Sequence, residues 1–302
     1  MVIAPTTSPC PRCGVAAPID DRFCEACGQS LAPVAQGHGV DGPLQEIAAG
    51  AAAGLTHRGL VKAENQDALF LQYADRRLVA VVCDGVSTSV SAAEAARLAC
   101  TAAGAALTRP PGGRATDAAI AAAVADAQRA VLSIRWQQRA MLAAPSCTIV
   151  VAVSDGNTIT VGSLGDSRAY WVDAERAVAL TADDSWARYQ IDAGLMTREE
   201  AEADGRAHQI TRWLGADAPD LDPSVTVFVP DRPGWLVVCS DGLWNYASTV
   251  EDLGGWVRDH AVDAQPIELA RALVDRALAG GGHDNITVAV AAITPAPKGP
   301  PS

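Results

Sequence analysis

A run of apolar residues at positions 78–83 stops at an aspartate and a glycine, Asp84 and Gly85. The run is long enough for a buried β-strand and too short for a membrane span. A similar run leads to Asp241 in the sequence WLVVCSDGL, and a weaker one leads to Asp166 in ITVGSLGDSR. The pattern therefore predicts strands that each deliver an aspartate at their end.

Aspartates at several strand ends suggest a metal site. A single Asp-Gly after a strand is typical of a turn, because both residues tolerate the dihedral angles of a turn. Repetition of the pattern makes coincidence a poor explanation, and carboxylate oxygens are the ligands that Mg²⁺ and Mn²⁺ prefer. A further acidic residue, Asp284, precedes an apolar run in GGHDNITVAV. The sequence thus predicts carboxylates that converge on hard cations.

Six short motifs follow one another along the chain: HRGLVKAENQDALF, VVCDGVSTS, LGDSRAYWV, LTADDSW, VVCSDGLW and GGHDNITVAV. Together they resemble the motif series of the bacterial metal-dependent protein phosphatases, the protein phosphatase 2C-like family, over residues 54–293. The resemblance implies an α+β fold, a four-layer α-β-β-α sandwich of two antiparallel sheets. The pattern of apolar residues is compatible with this fold but would not distinguish it from other layered α+β folds.

The resemblance also implies a set of metal ligands. Two Mn²⁺ or Mg²⁺ ions are expected on four residues: Asp84, the backbone carbonyl of Gly85, Asp241 and Asp284. Asp166, together with Asp241, matches a third and weaker cation site of bacterial members. The expected cofactors are therefore two or three Mn²⁺ or Mg²⁺ ions.

Two positions next to the metal motifs match family residues that orient water or contact phosphate. Asp67 matches an acid that orients metal-bound water, and Lys62 matches a phosphate-contacting arginine. Lysine offers phosphate a point charge without the fork of arginine, and an ordinary solvated lysine is the alternative interpretation of Lys62. Gln66 stands where the family has an acid, and residues 86–89 depart from its usual glycine-containing loop. Val86 also stands where some members have a histidine general acid.

The implied function is hydrolysis of phosphoserine and phosphothreonine in proteins by metal-activated water. The implied partners are phosphorylated proteins, among them a serine/threonine kinase or its targets, and we expect a monomer. The departures at Lys62, Gln66 and 86–89 leave an alternative open, a catalytically weak phosphatase-fold adaptor that binds a partner through its amino-terminal segment. Against this alternative, a degenerate site has no reason to keep mutually repelling carboxylates.

Charge and hydropathy exclude two classes of partner. The formal net charge of −12 argues against a nucleic-acid-binding surface. No window of the 302 residues has the length and apolarity of a membrane helix, and residues 1–31 lack the basic start and apolar core of a signal peptide. We therefore expect a cytoplasmic protein, in which thiols stay reduced. Buried core positions are then expected for the isolated cysteines: Cys83, Cys100, Cys147 and Cys239.

Two CxxC pairs lie near the start of the chain: Cys10, Cys13, Cys24 and Cys27. Four thiolates at this spacing can surround Zn²⁺, and a short segment without a core needs such a ligand to fold. Four protein ligands leave no open coordination position, so the Zn²⁺ would be structural. The segment resembles a zinc ribbon with one such ion. A redox CxxC and disulfides are the competing interpretations, and the absence of a thioredoxin-like βαβ pattern argues against the first.

Composition predicts the following domain boundaries: zinc ribbon 1–31, linker 32–50, phosphatase-like domain 51–294 and disordered tail 295–302. Within the domain, the alanine-rich segments 92–107 and 116–143 have helical spacing. Residues 185–217 resemble the flap subdomain that lies beside the active site in the family.

Overall fold

The computed structural model describes residues 7–9, 15–18, 36–37, 44–108, 115–139, 141–261 and 264–296. The chain separates into two units, 1–34 and 35–302. In the first unit, β1 (Thr7–Pro9) pairs antiparallel with β2 (Ala16–Pro18). Outside the described residues lie the four cysteines of the predicted zinc site: Cys10, Cys13, Cys24 and Cys27. The zinc ribbon therefore stays a prediction.

The strands of the second unit are, in chain order, β3 (Gln36–Gly37), β4 (Leu44–Ala49), β5 (Ala52–His57), β6 (Asp67–Ala74), β7 (Arg77–Asp84), β8 (Ser146–Cys147), β9 (Ile149–Ser154), β10 (Ile159–Leu164), β11 (Arg168–Asp173), β12 (Ala177–Ala179), β13 (Leu214–Gly215), β14 (Ser224–Phe228), β15 (Gly234–Cys239) and β16 (Ile286–Ile293). Its helices are α1 (Ala92–Thr108), α2 (Asp117–Leu132), α3 (Trp186–Asp192), α4 (Arg198–Ala203), α5 (Asp241–Trp244), α6 (Val250–His260) and α7 (Pro266–Ala279).

In the described part of the chain, the long strands form two six-stranded sheets. The first has the order β14-β10-β9-β7-β6-β3 and the second the order β12-β11-β15-β16-β5-β4. Neighbouring strands in both sheets are antiparallel. These sheets and their helices confirm the prediction of an α+β fold with two antiparallel sheets.

The central strands are buried on both faces, because each sheet packs against the other sheet on one face and against helices on the other. Along β7, alternate residues point to opposite faces. One face packs between the two sheets through Leu78, Ala80 and Val82. The other face packs against α1 and α2 through Val79, Val81 and Cys83. A third apolar cluster joins the second sheet to α5, α6 and α7, so helices cover both outer faces of the sheet pair.

The isolated cysteines are part of these apolar layers. Buried free thiols are found at Cys83, Cys100, Cys147 and Cys239. Burial raises the pKa of Cys83 and Cys239, which keeps both thiols protonated and unreactive. None of the helices in the described ranges is long and apolar enough to cross a membrane.

The structure corrects the predicted linker at its carboxyl-terminal end. Within 32–50, β4 pairs with β5 over its whole length, and Gly50 adopts a positive φ of 61° in the turn between them. As an edge strand β4 has one buried apolar side chain, Ile47, so the sequence carries almost no strand periodicity there. The folded domain therefore includes residues before the predicted start at 51.

The second alanine-rich helix is shorter than predicted. Helix α2 ends at Leu132 rather than at 143, and its C-cap is Ser133, whose amide and Oγ both donate to the carbonyl of Ala130. The next residue, Ile134, is buried against the helices, and 135–139 continue without helical structure. Alanine content alone gave no stop signal at this point.

A glycine at the start of α5 tests how tightly the second sheet holds this helix. A Cβ on Gly242 would lie 1.9 Å from the carbonyl oxygen of Asn285, so backbone would have to move. We expect Gly242→Ala to lower the free energy of unfolding by about 2–3 kcal/mol. Denaturant unfolding followed by circular dichroism measures this change.

Gly255 in α6 provides the matched control, because nothing lies within 4 Å of an added Cβ there. Gly255→Ala should stabilise the protein by about 0.5–1 kcal/mol, since alanine restricts the unfolded chain and favours helix. Equal stability of the two variants would contradict the close approach of α5 to the loop before β16.

Candidate metal centre

The first sheet brings two aspartates together at the ends of neighbouring strands. Asp67 begins β6, Asp84 ends β7, and the two are directly opposite in the antiparallel register. Each aspartate is two residues from a side chain that packs between the sheets, Leu69 or Val82, and therefore lies on the same face of its strand. The two carboxyl groups therefore lie at the edge of the layer between the sheets.

The second sheet contributes Asp241 and Asp284 to the same edge. Asp241 follows β15 and is the first residue of α5, whereas Asp284 precedes β16, the neighbour of β15. Asp166 lies in the turn after β10, and its carbonyl accepts a hydrogen bond of 2.9 Å from Nε1 of Trp244 in α5. The five predicted aspartates thus meet where the ends of both sheets come together.

Burial and mutual repulsion dominate the electrostatics of this aspartate cluster. Burial, followed by the charges of the other four aspartates, raises the pKa of Asp84 well above its usual value. Burial is also the main cause for Asp67, whose pKa rises to about 7, and for Asp166, whose pKa rises to about 8. Burial and the charge of Asp284 raise the pKa of Asp241. Without a cation, the cluster resists full ionisation at neutral pH.

Lys62 partly neutralises the cluster. Its Nζ lies 2.8 Å from Oδ1 of Asp284 and donates a 3.2 Å hydrogen bond to Oγ of Ser87, in the loop that follows Gly85. Partial burial lowers the pKa of Lys62, but the hydrogen bond to Asp284 and the charges of nearby aspartates outweigh it and raise the pKa overall. Lys62 therefore places a positive charge against the aspartate cluster.

Two buried oxygens in the cluster lack hydrogen-bond partners among the described residues. Oδ1 of Asp67 and Oδ1 of Asp241 accept no hydrogen bond from any described residue. Unsatisfied buried carboxylate oxygens are costly unless an ion or water compensates them. The donor set consists of carboxylate oxygens, which suits Mg²⁺ or Mn²⁺. The residues present therefore fit the implied cations.

The side chains are not arranged around a cation in this conformation. Within the described ranges, no group of three or more His, Cys, Asp or Glu side chains has the spacing of a bound ion. Asp284 directs one oxygen to Lys62, and Oδ2 of Asp67 accepts a 2.7 Å hydrogen bond from Ser240. In this conformation Lys62 and Ser240 therefore hold one oxygen each of Asp284 and Asp67.

Gly85 is fixed by backbone packing. A Cβ at this position would lie 2.6 Å from the carbonyl oxygen of Ala92 and 2.8 Å from that of Gln66. The amide of Gly85 also donates a 3.0 Å hydrogen bond to the Gln66 carbonyl. A glycine is required here because the backbone of three segments converges beside Asp84.

Two supporting residues were not predicted from the sequence. Ser240 donates to Asp67 and accepts a 3.0 Å hydrogen bond from the amide of Thr287. Asn285 accepts a hydrogen bond from the Gln66 amide and donates to the carbonyls of Arg58 and Glu64. The sequence does contain a signal for both residues. Each is a polar residue between an aspartate and an apolar strand, a buried position where a polar side chain needs hydrogen-bond partners.

The predicted departures from the family pattern lie beside the cluster. The side chain of Gln66 donates to Glu64 at 3.0 Å, and the amide of Val86 donates to the carbonyl of Ser146.

A cavity of about 300 Å³ opens next to Asp67 and is also lined by Asn65, Ala93, Glu94 and Arg97. Asp67 is therefore the cluster residue that borders this cavity beside α1.

The raised pKa values predict how pH affects the metal-free protein. Because Asp67 and Asp166 have folded-state pKa values of about 7 and 8, against 3.8 for an ordinary aspartate, the folded state retains protons that the unfolded chain releases. This stabilisation is complete below pH 3.8 and is lost as pH rises through 7 to 8. Metal-free protein should therefore unfold at lower denaturant concentration at pH 8 than at pH 6.

Removing one charge should reduce the repulsion. In metal-free protein at pH 8, we expect Asp241→Asn to raise the free energy of unfolding, because the variant buries no charge at this position and no longer repels Asp284. Added Mn²⁺ should stabilise the native protein and not this variant. Asp259→Asn, on the exposed side of α6, is the matched control and should respond to Mn²⁺ like the native protein. Destabilisation by Asp241→Asn at pH 8 would contradict the repulsion.

Comparison with known proteins places these features in a family. The family model described as protein phosphatase 2C matches residues 54–275. The serine/threonine protein phosphatase PstP of Mycobacterium tuberculosis is 29% identical over 243 residues, which cover 79% of this chain and 44% of that protein. The chain thus spans less than half the length of this relative.

Solved structures agree with the sequence comparison. The catalytic domain of PstP in complex with two manganese ions has a TM-score of 0.61 and 26% identity, covering 83% of this chain and 98% of that one. The phosphatase MsPP from Mycobacterium smegmatis in complex with cacodylate has a TM-score of 0.63 and 28% identity, covering 83% and 100%. Together with the match over residues 54–275, these likenesses show that the chain belongs to the protein phosphatase 2C family.

Proposed function

We propose that this protein is a metal-dependent protein serine/threonine phosphatase. The observation that carries the proposal is the buried aspartate cluster, in which Asp67 and Asp241 each keep one carboxylate oxygen without a described partner. Such a cluster is unfavourable unless cations bind to it. The names of the relatives support the proposal, because PstP and PhpP of Streptococcus pneumoniae are both named as protein phosphatases.

The proposed cation ligands come from both sheets. Asp84, the carbonyl of Gly85, Asp241 and Asp284 would hold two Mn²⁺ or Mg²⁺ ions, and Asp166 with Asp241 would hold a third. The solved PstP domain with two manganese ions supports the number of principal sites. Bound cations would activate the attacking water and offset the charge of the phosphate group.

Two further side chains would act on water and phosphate. Because Ser240 holds Oδ2 of Asp67, the opposite oxygen, Oδ1, is left to orient the attacking water. Lys62 can exchange the oxygen of Asp284 for an oxygen of the phosphate, since its ammonium group has three donors on a rotatable stem. Val86 has no proton to donate, so the leaving alkoxide would take its proton from water.

The proposed substrates are phosphoserine and phosphothreonine residues of proteins. A serine/threonine kinase or its targets would be among them, and the protein would act as a monomer in the cytoplasm. The acidic composition and the absence of a membrane-spanning helix from the described residues are compatible with this setting.

Hydrolysis of a phosphothreonine peptide tests the function directly. We expect Mn²⁺-dependent release of phosphate by the purified full-length protein. Chelation should abolish it, and Asp241→Asn should lower kcat by about 100-fold or more, because the variant loses a proposed cation ligand.

The same assay separates the two functions that the sequence leaves open. Release of phosphate that persists in chelator would overturn the metal-dependent mechanism. Mn²⁺ binding without turnover would instead favour an adaptor, with Lys62, Gln66 and 86–89 as the departures responsible.

We also propose a structural zinc in the amino-terminal unit. Its support is the spacing of four cysteines: Cys10, Cys13, Cys24 and Cys27. Metal analysis of the purified protein should find one zinc per chain, and replacing Cys10 and Cys13 with serine should remove it. Hydrolysis of p-nitrophenyl phosphate should be unchanged in that variant, because the proposed cation ligands lie in 35–302. Zinc retained by the variant would contradict the assignment.

A further inference from the structure

The segment after α2 carries two exposed arginines and is anchored at both ends. At its start, Ile134 is buried against the helices, with 8% of its surface exposed. At its end, the amide of Leu142 donates to the carbonyl of Arg139 at 3.2 Å, and the amide of Ala143 donates to the carbonyl of Thr88 at 2.9 Å. The exposed side chains therefore project from a fixed position.

These contacts place the segment beside the loop 86–90, which follows Asp84 and Gly85. The amide of Val90 donates to the carbonyl of Ala143, and the amide of Val86 donates to that of Ser146. Between these two contacts lies Ser87, whose Oγ accepts the hydrogen bond from Lys62. Residues 143–146 thus run along the loop 86–90, with the arginines at one end of this contact.

The chain between Arg139 and the loop 86–90 is short. Arg139 is four residues from Ala143, so their Cα atoms are at most about 14 Å apart, and Ala143 is hydrogen bonded to Thr88 and Val90 of the loop. An extended peptide rises about 3.3 Å per residue. A peptide whose phosphorylated residue lies beside this loop would therefore bring residues a few positions along its chain to Arg139.

The exposed side chains of this segment have the chemistry of an acidic-peptide site. Arg135 and Arg139 are exposed, and neither has an ion-pair partner among the residues that the structure describes. Trp136 lies between them in sequence with 37% of its surface exposed. Guanidinium groups bind carboxylates through two parallel hydrogen bonds, and an indole ring provides apolar contact for a peptide backbone.

We propose that Arg135, Trp136 and Arg139 form a docking surface for acidic residues that flank the phosphorylated residue of the substrate. The inference rests on the proposed phosphatase function and adds a substrate class to it. The chain has a net charge of −12, so most of its surface repels an acidic peptide. A local pair of arginines would orient such a peptide and would weaken with salt.

Two phosphothreonine peptides test the docking surface. One has aspartates three to six positions from phosphothreonine on both sides, and the other has asparagines there. In low salt with Mn²⁺, we expect the native protein to have a higher kcat/KM for the acidic peptide. Arg135→Gln combined with Arg139→Gln should lower this value about fivefold through KM, since each exposed ion pair contributes modestly.

Control reactions separate docking from folding and chemistry. The double variant should keep its kcat/KM for the asparagine peptide and for p-nitrophenyl phosphate. Arg232→Gln removes a partly exposed arginine at the opposite end of β15 from Asp241, where it pairs with Glu175, and should leave kcat/KM for both peptides unchanged. Equal losses on both peptides, or no preference in the native protein, would overturn the proposal.

Binding distinguishes failure of this proposal from failure of the phosphatase function. If the native protein hydrolyses none of these substrates, fluorescence anisotropy of the labelled peptides still reports docking. Tighter binding of the acidic peptide, reduced in the double variant, would support the docking surface without the phosphatase function. Equal binding of both peptides would overturn it.

Discussion

Repulsion among buried carboxylates is the constraint on which the rest of this structure depends. Asp84 faces four other aspartates across the edge of the layer between the sheets, and burial intensifies their interaction. A fold that brings such groups together must supply compensating charge. Within the described residues, Lys62 supplies part of it through its contact with Asp284. The remaining negative charge is the reason that we propose a cation site here rather than a structural ion pair.

Hydrophobic burial in the apolar layers compensates the destabilising repulsion within the aspartate cluster. Three buried clusters of aliphatic side chains hold the helices and sheets together behind the aspartates. Hydrophobic burial on this scale tolerates several unfavourable groups at one edge. Ser240 and Asn285 then fix the polar segments at that edge by hydrogen bonds to Asp67 and to the loop 58–66. The site is therefore held by strand ends and buried polar residues rather than by long loops.

The sequence predicted where the strands before Asp84 and Asp241 end, because a buried strand leaves a continuous apolar run. The apolar run before Asp84 predicted both the strand and the position of the carboxyl group at its end. Sequence also separated Asp67 and Asp284 from the many exposed acids, through the motifs that surround them. Whether these residues bind cations is a property of the folded site and stays a prediction. The contact of Lys62 with Asp284 could not be derived, since it joins positions more than 200 residues apart.

The errors in the sequence analysis have different physical origins. Strand β4 was assigned to a linker because an edge strand needs little apolar surface and leaves little periodicity. The predicted end of α2 lies too far along the chain because alanine favours helix wherever it occurs, whereas the helix ends at the Ser133 cap and the buried Ile134 follows it. Local propensity is a poor guide where one tertiary contact decides the outcome.

The loop 85–90 joins the aspartate cluster to the segment after α2. On one side its glycine packs against the backbone of Gln66, and on the other it is hydrogen bonded to residues 143–146. Its position therefore depends on both neighbours. The proposed cation ligand at Gly85 and the proposed docking surface would then share one loop.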